Sequence, residues 1–241
     1  FLKYNFLIDD SFKLNHKNFT NKIKTPITGG ILFIFSTIFL LKDFNVVSNL
    51  IFFSIFLLGL LSDINKITSP KLRLLLQLLI VVVYIYLNNT YISEIRIDYI
   101  DNNLLNNLIF KIIFTSFCVL ILINGSNFMD GVNTLCSGYF MILFCNIIFL
   151  SSYNEIKIDM YNVKIIITIL FVFLLSNSFS KSFMGDNGSY LIGFFTAIFL
   201  INFSNQNQMV SPYFIAVLLW YPAFENFFSL TRRLLFEKKK N

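Results

Sequence analysis

NGSNFMDGVNTL, residues 124–135, stands between two runs made almost wholly of residues that avoid water: IFKIIFTSFCVLILI at 109–123 and GYFMILFCNIIFL at 138–150. The polar stretch holds three Asn, one Asp and two Gly, and neither Lys nor Arg. Each flanking run approaches the roughly 20 apolar residues that carry a helix across a bilayer. The whole chain repeats this pattern. Of 241 residues, 56% are hydrophobic and 13% charged, with a mean hydropathy of +0.70, whereas soluble domains are about 25% charged. Length here counts membrane crossings rather than soluble domains.

Eight candidate crossings follow in order: 27–41, 46–61, 72–87, 108–123, 135–150, 163–179, 190–203 and 212–228. The runs are continuously apolar and do not alternate as barrel strands would, and open sheet edges cannot face lipid, so helices are expected. The predicted fold is all-α: a polytopic transmembrane bundle of about eight helices forming one integral membrane domain over 1–241. The opening FLKYNFLIDD carries no initiator Met and no cleavable signal, and the chain is read as a piece lacking terminal helices.

If the helices alternate in direction, one side receives residues 1–26, 62–70, 124–133, 181–188 and the tail after Ser229. Counting Lys71 and Arg73, that side holds about 14 of the 19 Lys and Arg, which makes it cytoplasmic by the positive-inside rule. Topology thus accounts for the net charge of +6, and a nucleic-acid partner is not indicated. Cys118, Cys136 and Cys145 show no metal-ligand spacing and are read as packing residues.

The segments on the opposite side, such as NNTYISEIRIDYIDNN, read as plain connectors. Those on the basic side differ in kind: KTPITGG at 24–30, GLLSDINK at 59–66, NGSNFMDGVN at 124–133 and MGDNGS at 184–189. Read as loops, they converge on one site. Asp63, Asp130 and Asp186 fall at or near buried helix ends, where an unpaired carboxylate is costly and marks function. Three carboxylates call for a cation; with Asn amides beside them and neither His nor Cys nearby, oxygen ligation suggests Mg²⁺ or Mn²⁺, and Mg²⁺ usually shares its site with substrate phosphates. Gly125, Gly131, Gly185 and Gly188 would let backbone approach a ligand, and helix starts would aim N–H groups at an anion. Taken singly, each motif has a plainer reading: a turn at Asp-Gly, or caps at Asn124 and Asn127.

Together, N-x-x-N-x-x-D-G at Asn124, Asn127, Asp130 and Gly131, and M-G-D-x-G-S at Met184 to Ser189, resemble the polyprenyl-phosphate N-acetylhexosamine-1-phosphate transferases, glycosyltransferase family 4. K-x-P-x-x-G-G at Lys24 to Gly30 and G-x-x-x-D…L-R-L-L-L-Q at Gly59 to Gln77 match in order, so the likeness spans roughly 9–236. The resemblance implies ten or eleven membrane helices, Mg²⁺ dependence and an active site at the cytoplasmic face of the bacterial inner membrane. It also implies transfer of a sugar-1-phosphate from a UDP-N-acetylhexosamine to polyprenyl (undecaprenyl) phosphate with release of UMP, initiating cell-wall or surface-polysaccharide assembly. By matched positions, Asp186 and Asp130 are expected metal ligands and Asp130 and Asp63 catalytic carboxylates. Asn124, Asn127, Asn133, Arg73 and Lys24 are expected to bind substrate; homodimer formation is left open.

The chain departs from the family pattern where Ser62-Asp63 replaces an Asp-Asp pair and Asn133 replaces a second Asp. The family's His-rich segment and final helices do not appear, and His16 is the one histidine. These departures keep a second expectation alive: a non-catalytic relative that binds polyprenyl phosphate or a sugar nucleotide. A transporter would need charge near the bilayer midplane, whereas most charges lie at one mouth.

Overall fold

The computed structural model describes residues 8–9, 25–40, 45–153 and 156–236. Among them are ten helices: α1 (Gly29–Phe39), α2 (Val46–Asp63), α3 (Pro70–Asn88), α4 (Asp98–Asn106), α5 (Leu108–Met129), α6 (Leu135–Tyr153), α7 (Met160–Ser178), α8 (Gly185–Gln206), α9 (Pro212–Leu218) and α10 (Trp220–Phe236). Two short strands, β1 (Ile8–Asp9) and β2 (Thr25–Pro26), pair antiparallel. The all-α expectation holds. Six helices are long and apolar enough to cross a membrane, and a seventh crossing is available if the bent pair α9–α10 is one span.

The helix starts are written locally. Asn45 accepts the Ser48 N–H at 2.6 Å, and Asn107 accepts that of Phe110 at 3.1 Å; these are N-caps that satisfy amides left over by the first turn. Ser69 followed by Pro70 opens α3, where the missing N–H of proline costs nothing. Asn89, at φ 50°, closes it in the left-handed conformation that Asn tolerates.

α8 is the axis of the bundle. It is buried along nearly its whole length and packs against α5, α2 and α1. α3, by contrast, turns Leu74, Leu75, Leu79, Val83 and Leu87 outward. In lipid those side chains cost nothing to expose, so the helices are held by close packing rather than by withdrawal from solvent. Such packing needs small residues at the contacts: a Cβ on Gly59 would strike the Asn187 backbone, and one on Gly125 would strike Pro222.

Three sequence expectations change. Candidate 27–41 yields an 11-residue helix, about 16 Å at 1.5 Å per residue, too short to span unaided. Candidate 212–228 is broken at Leu219 with a bend of 61°. The cause is Pro222, which has no N–H to give the Leu218 carbonyl four residues back; the Tyr139 hydroxyl donates to that carbonyl instead. Finally, part of the stretch read as a connector folds into α4, whose Asp101 accepts the Ile95 and Ile97 N–H groups at 2.8 and 3.1 Å.

Candidate active site

The polar motifs are helix ends rather than loops. α5 continues through Asn124 and Asn127 to Met129, so these two Asn lie on successive turns, with Asp130 as the C-cap. Asn and Gly are weak helix formers, but a helix in a bilayer interior must keep its backbone bonds, and the ladder runs on to the Asp130 N–H, which donates to the Ser126 carbonyl at 3.2 Å. In the same way Gly59 to Asp63 is the last turn of α2, and Gly185 to Ser189 the first of α8. Three helices therefore deliver Asp63, Asp130 and Asp186 to one end of the bundle.

Asp63 lies beneath the start of α8. Its Oδ1 accepts the Asp186 N–H at 2.8 Å and its Oδ2 the Asn187 N–H at 3.1 Å. Asp130 Oδ2 accepts the Gly185 N–H at 3.1 Å. These bonds use the unpaired amides and positive dipole end of α8, so the expectation that this helix start presents its first N–H groups to an anion is corrected: two carboxylates of the chain itself hold them. The glycines are likewise committed to packing. Gly185 adopts φ +71° over Asp63 and Ile27, and Gly188 lies against Gly29 and Gly30. Gly131 is exposed, and a Cβ there would meet only the Phe128 carbonyl at an ordinary 3.6 Å.

Asp186 faces a different set of partners. Arg73, from the first turn of α3, donates to its Oδ2 at 2.9 Å and to the Ser62 hydroxyl at 2.8 Å; Ser62 donates in turn to the same carboxylate oxygen. Tyr190, one helical turn along from Asp186, adds its hydroxyl at 3.3 Å. Arg73 and Asp186 remain partly accessible, with side-chain exposures of 25% and 22%.

Burial pushes the Asp130 carboxyl well above the ordinary carboxylate range; the Gly185 N–H opposes the shift, while the charges of Asp186 and Asp63 add to it. A cation bound beside a carboxylate so placed would favour its charged form.

Of the substrate-binding candidates, Asn127 joins the site: its Oδ1 accepts from the Ser189 hydroxyl at 3.0 Å, and its amide NH₂ has no partner among the described residues. Asn124 is turned inward, donating to buried Gln77 and to the Leu120 carbonyl, both at 2.9 Å. The i, i+3 spacing of the two Asn puts them near one helix face, but Asn124 is one turn deeper and serves the α3–α5 contact. Asn133 donates to Ser180 at 2.9 Å and has no contact with the carboxylates among the described residues. Lys24 and His16 lie outside the described residues.

The structure adds residues that pattern reading left without a role. Asn187 accepts the Gly30 N–H at 3.0 Å, tying α1 to α8. Ser126 donates to the Ser189 carbonyl at 2.6 Å, tying α5 to α8. Tyr190 completes the partners of Asp186. The signal for the first and last was adjacency to M-G-D; nothing in the sequence distinguishes Ser126 from any helical serine.

Among the described residues, no three His, Cys, Asp or Glu side chains gather to hold a metal ion by themselves. The reason is local: Asp63 is engaged with backbone amides through both oxygens. What remains suits Mg²⁺ in kind. Among the described residues, Asp130 and Asp186 each keep one oxygen without a hydrogen-bond partner, and Mg²⁺ typically takes one or two carboxylates and completes its shell with water and phosphate.

The family model for glycosyl transferase family 4 matches residues 44–204, from the cap of α2 to near the end of α8, and the chain belongs to that family. The relatives are bacterial. The chain is 31% identical to the phospho-N-acetylmuramoyl-pentapeptide-transferase of Sulfurimonas denitrificans, aligned over 72% of this chain and 59% of that one. It is 29% identical to the enzyme of the same name from Campylobacter jejuni serotype O:6, over 82% and 65%, and 30% identical to that of Dictyoglomus thermophilum, over 73% and 58%. The chain thus spans about three-fifths of the length of the curated relatives it matches.

Proposed function

We propose that this chain carries the catalytic end of a membrane phosphosugar transferase, which moves N-acetylhexosamine-1-phosphate from a UDP-sugar to polyprenyl phosphate at the cytoplasmic face of a bacterial inner membrane. An oxygen of the lipid phosphate attacks the β-phosphorus of the donor. The bond from that phosphorus to the bridging oxygen breaks, UMP leaves, and a pyrophosphate-linked lipid sugar remains. The observation that carries this reading is the meeting of Asp130, Asp186 and Arg73 at one helix-end corner, in a chain whose relatives are named as phosphosugar transferases.

Two anions must meet in this reaction, so opposing charge is the first requirement. Asp130 and Asp186 would hold Mg²⁺, which when bound offsets phosphate charge and stabilises the departing phosphate. Arg73 supplies a fixed guanidinium whose fork suits phosphate oxygens. It reaches the site from the partly exposed mouth, where a water-soluble donor and a lipid-borne acceptor can both arrive. Asn127 offers an amide donor beside Asp130, and Ser189 fixes its orientation. Asp63 acts from behind, holding the first turn of α8 and with it the direction of Asp186.

A second reading has one specific observation behind it. Ser62 and Arg73 both occupy the same oxygen of Asp186, an arrangement that would suit a relative that binds lipid phosphate or sugar nucleotide without turnover. The deciding experiment is transfer of radiolabelled sugar phosphate from a panel of UDP-N-acetylhexosamines to undecaprenyl phosphate, in membranes expressing the chain, with Mg²⁺ and with EDTA. Metal-dependent lipid-linked product and UMP release are expected. A folded, inserted chain that binds the donor and yields no product from any of them would replace the first reading with the second.

A further inference from the structure

The end of the bundle opposite the carboxylates contains a cavity of about 430 Å³, within the range of small-molecule sites. It is built from the far ends of the same helices: Asn45 and Ser48 where α2 starts, Tyr84 and Asn88 where α3 finishes, Lys157 to Asn162 where α7 begins, and one stripe of α8. From Ser48 to Asp63 along α2 is about 22 Å at 1.5 Å per residue, so this cavity and the carboxylate site lie near opposite membrane interfaces.

Its walls are fixed by their own hydrogen bonds. Asn88 accepts from the Ser48 hydroxyl at 3.0 Å and from the Asn45 amide at 3.3 Å, and donates to the Tyr84 carbonyl at 3.1 Å. Asn207 holds Lys157 by both its N–H and its carbonyl, at 2.8 and 2.9 Å. Asp159 caps α7 through the N–H groups of Tyr161 and Asn162 at 3.1 and 3.2 Å. Three side chains lining the cavity are exposed and have no hydrogen-bond or ion-pair partner among the described residues: the Lys157 ammonium and the Asn202 and Gln206 amides. Along α8 the lining grades from Phe195 and Phe199 to Asn202 and Gln206, rings deep and amides at the mouth.

We propose that this cavity is a binding site for the head group of a zwitterionic phospholipid of the amino-phosphodiester class. The Lys157 ammonium and the Asn202 and Gln206 amides offer donors to the phosphodiester. The exposed Asp159 carboxylate, whose second oxygen accepts from the Asn162 side-chain amide, offers the ligand ammonium a counter-charge. The rings of Phe195 and Phe199 meet the start of an acyl chain. Among the described residues one cation and one anion line the cavity, so a head group of net negative charge would satisfy Lys157 and leave Asp159 without a counter-charge, while a zwitterion leaves neither charge unpaired.

The test is native mass spectrometry of the full chain in detergent, titrated separately with phosphatidylethanolamine and phosphatidylglycerol. The expected result is one saturable phosphatidylethanolamine per chain, with at least fivefold lower occupancy by phosphatidylglycerol. Lys157→Glu and the double variant Asn202→Ala/Gln206→Ala are each expected to lower phosphatidylethanolamine occupancy at least fivefold without lowering Tm. Should Lys157→Glu fail to fold, the amide variant carries the test alone. Equal occupancy by both lipids, no saturable adduct, or occupancy unchanged in the folded variants would overturn the proposal. None of these readouts depends on transferase activity.

Discussion

The two ends of the bundle are made of the same helices and use polar residues differently. At the carboxylate end, acids from α2, α5 and α8 are brought together against one arginine, and the first turn of α8 is held by chain carboxylates. At the far end, amides do the holding: Asn45, Asn88 and Asn207 close their bonds within the protein and the charges are few. Gathering like charges at a partly buried site is costly unless they are paired, capped or joined by a cation. The first arrangement therefore points to chemistry with anions, and the second to a firm frame around a cavity.

The largest effect that would test this contrast is loss of either metal-binding candidate. Asp186→Ala or Asp130→Ala is expected to lower transfer at least 1,000-fold, measured as UMP release, with membrane insertion intact; turnover within tenfold of wild type would remove the carboxylate end from the reaction. Arg73→Ala is next, with an expected loss of about 100-fold in kcat/KM, the order seen when one preorganised donor to a developing charge is removed. Arg73→Lys should recover only part of it, because a point charge lacks the guanidinium fork.

Asp63→Asn separates positioning from catalysis. An amide oxygen can keep one of the two bonds to α8, so a partial fall in kcat is expected with a loss of stability of about 1 kcal/mol, the usual worth of a helix cap, read as a drop in Tm. If Asp63→Asn and Asp186→Ala were equally dead, Asp63 would belong to the reacting groups after all. The smallest effect belongs to the far end: the exposed pair of Glu94 and Arg96, 3.7 Å apart, should contribute under about 0.5 kcal/mol, and Glu94→Gln should leave transfer and Tm alike unchanged.

Much of this was legible without coordinates. The apolar blocks gave the helices, and all eight proposed blocks contain one; Asn45, Asn107 and Ser69 mark starts by their own chemistry. Co-location of Asp63, Asp130, Asp186 and Arg73 followed from counting crossings. What sequence reading missed was that helix extends into the polar motifs. Asn124, Gly125 and Asn127 resemble loop residues by propensity, but a buried segment keeps its backbone ladder whatever its side chains prefer. The break at Leu219 could have been anticipated from Pro222, whereas the partner for the orphaned Leu218 carbonyl, Tyr139, comes from a helix some 80 residues earlier.

The sequence by itself determined a polytopic helical membrane protein with its acidic motifs at one end, because hydrophobic run length and charge placement are one-dimensional quantities that the bilayer converts directly into topology. Only the tertiary structure decided how the polar residues divide their work: that Asp63 and Asp130 hold the start of α8, that Arg73 and Ser62 meet Asp186, and that Asn124 serves packing while Asn127 faces the site. Side chains of one type on adjacent turns differ in role according to which amide or carboxylate a neighbouring helix presents, and that depends on the rotation and depth of each helix, which spacing along the chain does not encode.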